Sequence, residues 1–255
     1  MTRRSAAIAV VALVLLAGCS GVVPGSGSGP DVTRSDDMEP LAEQSWADGS
    51  GVAYDALIRQ HTGTVANASS LDYRFWVTDG ENEHDIRIAA DHEEKLANTS
   101  TVATANGTTS VRASYVDNAT VYTRTGTPEN LTYDKQKRPT LSSQFSRYID
   151  QQTQFAVGAT ILAQWDFEHT ASTDGAYRFE ADSISSADGE NGVDAANVSD
   201  TNATLVVDAD GYISELSYSM TQQRDDGPVT IESTIRYDGL GETDVSKPAW
   251  TAEAS

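Results

Sequence analysis

The side chains with intrinsic reactivity are few in kind. There is one thiol, Cys19, four imidazoles, His61, His84, His92 and His169, and a crowd of carboxylates, 38 Asp and Glu in 255 residues. A lone thiol has no disulfide partner and builds no thiolate metal site. The histidines lack H-E-x-x-H or any other ligand spacing. His84-Asp85 and His92-Glu93-Glu94 lie in or beside stretches of strand character, where neighbouring side chains point to opposite faces. His61 falls on a helix face that otherwise reads as core, which predicts a buried, hydrogen-bonded histidine. Asp208-Ala209-Asp210-Gly211 opens like a calcium loop, but counting from Asp208 the fifth position is Tyr212 and the twelfth is Ser219, where oxygen donors and a bidentate acid belong. It lies between two alternating runs and reads as a tight hairpin turn. Neither G-x-S-x-G nor S-x-x-K occurs, nor a glycine-rich phosphate loop. The chain is therefore expected to be no enzyme, and to need no metal or cofactor.

Charge narrows the partners. The net charge is −21, which repels nucleic acid at long range. Asp outnumbers Glu 24 to 14, and Lys occurs four times (Lys95, Lys135, Lys137, Lys247) against 13 Arg. Such a surface suits concentrated salt, where a Debye length of about 3 Å screens the self-repulsion.

Cys19 closes the segment MTRRSAAIAVVALVLLAGC. Arg3 and Arg4 precede an apolar or small-residue run from Ala6 to Gly18, 13 residues long and too short for a hydrocarbon core that needs about 20. A basic start, an apolar middle and a small-residue end describe an export signal, residues 1–18, and the paired arginines are compatible with the twin-arginine route. Leu16-Ala17-Gly18-Cys19 resembles the lipobox of bacterial and archaeal lipoproteins. That resemblance implies a thioether from Cys19 to a diacyl- or dialkylglyceryl lipid, cleavage before Cys19, and a domain anchored on the outer face of the cell membrane. Two chains, at about 0.8 kcal/mol per buried CH₂, make a lasting anchor. Residues 19–51, rich in Gly, Ser, Pro and acid, read as a flexible tether.

One α+β domain is expected over 52–250, with a tail at 251–255. Tyr54, Leu57, Ile58, His61 and Val65 predict a helix within Gly51–Ala66, and a longer helix is expected over Leu141–Trp165, with Phe145, Tyr148, Ile149, Gln152, Ala156, Ala159 and Leu162 on one face. Period-two alternation predicts strands at 71–78, 84–91, 94–104, 109–116, 120–125, 177–184, 203–209, 212–220 and 229–237. The fold expected is a large curved antiparallel sheet with two or more helices packed on its concave face.

The order helix, strands, helix, strands resembles the LolA and LppX-like lipoproteins, whose curved sheet encloses lipid; the resemblance implies an apolar ligand held between sheet and helices. Tyr73, Phe75, Trp76, Phe145, Tyr148, Phe155, Trp165 and Phe167 are the aromatics available to line a cavity or to fill a core. The lipobox, the acidic domain, LVVDADGYISELSYS and IRYDGLGETDVSKPAW together are similar to uncharacterised lipoproteins of halophilic archaea. The alternative reading is an envelope structural or interaction protein without a small-molecule ligand. Sequons at Asn67, Asn98, Asn106, Asn118, Asn130, Asn197 and Asn202 are candidate N-glycosylation sites. Thermal unfolding followed by circular dichroism should show a midpoint that falls as KCl is withdrawn. A midpoint indifferent to salt contradicts the salt-adapted reading.

Overall fold

The computed structural model describes residues 33–34, 38–49, 51–153, 162–173, 175–184, 197–225 and 227–255. Alternation of β-branched and aromatic residues with polar ones sets most of that chain into strands. Strand β1 (Thr33–Arg34) and a small hairpin, β2 (Ala47–Asp48) with β3 (Gly51–Val52), precede helix α1 (Tyr54–Asn67). Six strands follow: β4 (Ser70–Thr78), β5 (Glu83–Asp91), β6 (Leu96–Ala105), β7 (Thr108–Asp117), β8 (Thr120–Thr127) and β9 (Asn130–Lys137). A 3-10 turn at Leu141–Gln144 leads into α2 (Phe145–Gln152). Then come β10 (Glu168–Thr173), β11 (Ala176–Ala181), β12 (Val198–Asp208), β13 (Ile213–Arg224), β14 (Gly227–Asp238) and a 3-10 helix at Ala249–Glu253.

One sheet of twelve strands takes the order β1-β10-β11-β12-β13-β14-β4-β5-β6-β7-β8-β9. All neighbours are antiparallel except β1 beside β10. The class is α+β, a large open antiparallel sheet with two helices, as the alternation implied.

Register decides which residues share a face. Phe179, Leu205, Leu216, Ile235, Phe75 and Ile86 form one continuous cross-strand row, and Tyr237, Tyr73 and Ile88 another on the same face. All of these are buried, and Leu57 and Val65 of α1 and Phe145 and Ile149 of α2 belong to the same cluster. Beyond β5 the row through Ile86 turns polar, as Thr101, Arg112, Thr125 and Thr132, whereas the row through Ala90 stays apolar and buried as Ala97, Val116 and Val121.

Helix α1 has no side-chain N-cap and a single acid in its first turn, so packing rather than capping holds it. Leu57, His61 and Val65, four apart, are its buried stripe. Its Tyr54 hydroxyl donates to the Trp165 carbonyl at 2.6 Å, and Gln60 Nε2 donates to the Asp210 carbonyl at 3.2 Å. The reverse face has its own cover near β7 and β8. After β14 the chain crosses it: the Gly241 N–H donates to the Ser70 carbonyl at 2.8 Å, Asn98 Nδ2 to the Ser246 carbonyl at 3.4 Å, and the Lys247 ammonium stands 4.7 Å from the Tyr122 ring centre. Trp250 receives the Arg124 guanidinium at 5.4 Å. Ala113, Tyr115 and Tyr122 are buried on this side.

Several expectations need correction. The tether expected over 19–51 is structured in its last third: Met38, Leu41 and Trp46 are buried, and Trp46 meets the Tyr177 ring edge-on at 5.3 Å. Apolar anchors spaced too irregularly for either period hid this. Of the helix expected over Leu141–Trp165 the described residues show a 3-10 turn at Leu141–Gln144, α-helix over Phe145–Gln152 and a helical Leu162, while Trp165 forms an isolated bridge with Ile184; Phe155, Ala156 and Ala159 lie outside the described residues. The tail at 251–255 contains the end of a 3-10 helix with Thr251 buried. The alternation did not predict strands β9 and β10, because β9 alternates only at Leu131 and Tyr133 before Asp134, Lys135, Gln136 and Lys137, and β10 carries a bulge between His169 and Ala171.

The turn after β12 closes as the aspartates predicted. The Asp210 N–H donates to Asp208 Oδ1 at 2.9 Å and the Gly211 N–H to the Asp208 carbonyl at 2.8 Å. Gly211 takes φ +79°, and a Cβ there would stand 2.5 Å from Gln60 Cγ and 3.1 Å from the Trp46 ring. Gly211→Ala should therefore lower the unfolding free energy by about 1 to 3 kcal/mol. A urea midpoint equal to the parent's contradicts that contact.

Candidate functional site

The sequence singled out Cys19 with Leu16, Ala17 and Gly18; all four lie outside the described residues. The sequons are scattered. Asn106 and Asn118 sit in the β6–β7 and β7–β8 turns at φ 51° and 54°, the left-handed region that Asn tolerates. Asn130 opens β9, and Asn197 and Asn202 are exposed beside or within β12. Asn67 Nδ2 donates to the Gly63 carbonyl at 2.8 Å, and Asn98 is half-buried and bonded to the C-terminal crossing segment.

The four histidines are not brought together. His84 is half-buried with its ring edge-on to Phe75 at 6.3 Å. His92 lies against Phe145 at 5.7 Å, with Nδ1 3.4 Å from Ser146 Oγ. His169 Nε2 lies 2.9 Å from the Ala171 carbonyl and 2.8 Å from Ser172 Oγ, spanning the bulge. Among the described residues no group of three His, Cys, Asp or Glu is arranged to hold a metal.

Among the described residues His61, Tyr73 and Tyr237 are driven far from their ordinary values. His61 is 1% exposed. Its Nδ1 accepts the Ile213 N–H at 3.0 Å, which puts the ring proton on Nε2, and the ring meets Tyr237 edge-on at 4.7 Å. Burial pushes its pKa down from 6.5 to about 3, and burial pushes the Tyr73 and Tyr237 hydroxyls up. These groups lie inside the cluster, as the helix periodicity of His61 implied. Tyr73, Phe75, Phe145, Trp165 and Phe167 are also buried there, whereas Trp76 and Tyr148 are half-buried.

Two open depressions lie at the surface, the second bordering that cluster at Leu141 and Tyr148. One, of about 490 Å³, is lined by Thr101, Ser110, Arg112, Thr125, Thr127 and Asn130 on β6 to β9, among others. Gly126, at φ +144°, lets the Asn130 carbonyl approach where a Cβ would collide with it. The other, of about 360 Å³, lies between the end of β9 and α2 and is lined by Arg138, Thr140, Leu141, Gln144, Arg147, Tyr148 and Gln151. The Tyr148 hydroxyl, 3.4 Å from Ser114 Oγ, ties α2 to β7. Sequence reasoning missed both depressions, because β9, which borders each, was not foreseen.

The class of molecule is thus a wide open antiparallel sheet with one face buried by aromatic and aliphatic side chains from β11 to β5 and, among the described residues, exposed polar side chains at Arg112, Thr125, Thr132 and Asp134 on β7 to β9. The chain belongs to a family of unknown function, DUF7537, whose model matches residues 4–254. No curated protein matches it. Among the described residues no helix is long and apolar enough to cross a membrane.

Because His61 stays neutral when folded and takes a proton when unfolded below pH 6.5, its contribution to stability is complete above that pH and is lost on acidification toward pH 3, by about 1.4 kcal/mol per unit. The stability difference between the parent and His61→Gln should shrink from pH 7 to pH 4. A pH-independent difference contradicts the buried neutral imidazole.

Proposed function

We propose that this is an exported, lipid-anchored and non-catalytic envelope protein, tethered to the outer membrane face through Cys19, that works as an interaction module rather than as a lipid carrier. The carrying observation is the division of one sheet face. Where α1 and α2 join it the face is filled by Tyr73, Tyr237, Phe75, Leu216 and Ile235, while across β6 to β9 it presents Arg112, Thr125, Thr132 and Asp134 to solvent. A lipid held between sheet and helices needs space there, and the buried side chains just named occupy the described part of that interface.

The helix positions support a LolA-like arrangement with both helices on one concave face, because the buried residues of each join the same cluster. In this reading the fold is that of a lipid-binding lipoprotein whose pocket has been closed by aromatics. Support for the anchor comes from the lipobox-like Leu16-Ala17-Gly18-Cys19, which lies within the family match at 4–254. The acidic composition suits an outer surface bathed in salt, in the manner of halophilic archaea.

Cys19→Ser expressed in the native host should move the protein from the membrane fraction to the medium, or leave it as an unprocessed precursor. Retention at the mature mass, unchanged, contradicts the anchor. A photo-crosslinking residue at Thr125 should give a discrete adduct on intact cells that the same residue at Glu232, on the reverse face, does not; equal patterns contradict the assignment of the working face.

A further inference from the structure

Cations are not spread evenly over this acidic chain. All four lysines lie at the β6 to β9 end: Lys95 in the β5–β6 turn, Lys135 and Lys137 on β9, and Lys247 against Tyr122 of β8. From Lys135 to Ile149 the sequence holds Lys135, Lys137, Arg138 and Arg147 and no acid at all. Within that stretch the chain turns from β9 into α2, and both Arg138, just after β9, and Arg147, on α2, line the 360 Å³ groove.

The lining is built for an anion. Gln144, Arg147, Tyr148 and Gln151 fall at i, i+3, i+4 and i+7, so one helix stripe supplies amides, a guanidinium and a phenol to the same wall. The buried stripe of α2, Phe145 and Ile149, faces elsewhere. No carboxylate lines the groove. Among the described residues every arginine within ion-pair distance of an acid is elsewhere: Arg74 and Arg87 with Asp85, Arg178 with Glu180, Arg236 with Glu215. The nearest acid along β9, Asp134, accepts Gln136 Nε2 at 2.8 Å, and Gln136 Oε1 accepts Arg138 Nη2 only at 3.5 Å. On α2, Asp150 acts on His92 and Tyr237, toward the core.

We infer that the groove between Arg138 and Arg147 is a binding site for a phosphate-type oxyanion. Two guanidinium groups lining one groove offer paired N–H donors that match a tetrahedral oxyanion. Thr140, Gln144 and Gln151 supply further polar groups. The volume is that of a small-ligand site and admits a phosphoryl group with a short substituent. A phosphorylated lipid headgroup and a free phosphate share this chemistry. The inference is argued without Cys19, so it stands or falls separately from the anchor.

The test is calorimetric titration of the purified full chain, at constant ionic strength, with inorganic phosphate and separately with dihexanoylphosphatidylglycerol below its micelle concentration. Saturable binding of either is expected, weakened about tenfold or more in Arg138→Gln and in Arg147→Gln, while Arg236→Gln, whose partner is Glu215 on another part of the sheet, binds as the parent does. Binding of the lipid analogue alone assigns the site to headgroups, and binding of both with equal affinity assigns it to the phosphate itself. No saturable binding of either by the folded parent overturns the inference. So does an equal loss in all three variants, which would reflect net charge and not the groove.

Discussion

A sheet of twelve strands is about 53 Å wide at 4.8 Å per strand, and a helix about 10 Å across covers only a small part of it. The described helices, of 14 and 8 residues, meet only part of that width. Where cover exists, the sheet face is aromatic and aliphatic and every large side chain finds neighbours. Past Ile86 its row continues as Thr101, Arg112, Thr125 and Thr132, where exposed apolar side chains would be an aggregation hazard.

The remaining segments extend the cover. Residues 38–49 place Trp46 and Leu41 against the edge of the cluster near Tyr177 and the β12–β13 turn. The chain after β14 does the same on the reverse face, where Lys247 and Trp250 lie against Tyr122 and Arg124. In both places the contacts are aromatic edges and cation–π pairs, which suit segments that bury one side only. What is left over is an exposed polar part of the face on β7 to β9 and, beside it, a groove lined by Arg138 and Arg147.

Much of this was legible in the sequence, for a physical reason. Strands such as 71–78 and 229–237 bury one face, so their residues alternate, and the Asp208 turn follows from side chains that bond their own backbone. His61 announced its burial through its place in a helical stripe. Strand β9 was hard to read because its alternation stops after Leu131 and Tyr133, where Asp134, Lys135, Gln136 and Lys137 follow, and the groove beside it went unseen with it. Met38, Leu41 and Trp46 were hidden among Gly, Ser and acid, since a segment that drapes over a core obeys no period. Trp165 joins the same cluster from an isolated bridge, a contact that helical spacing alone does not announce.

The claim on which the account rests is that the space between helices and sheet belongs to the protein's own side chains. Native mass spectrometry of the protein purified from its own membranes addresses it directly. The account predicts a mass that is fully explained by the processed chain, its anchor on Cys19 and any glycans. One further lipid per chain, retained under gentle activation, would contradict it.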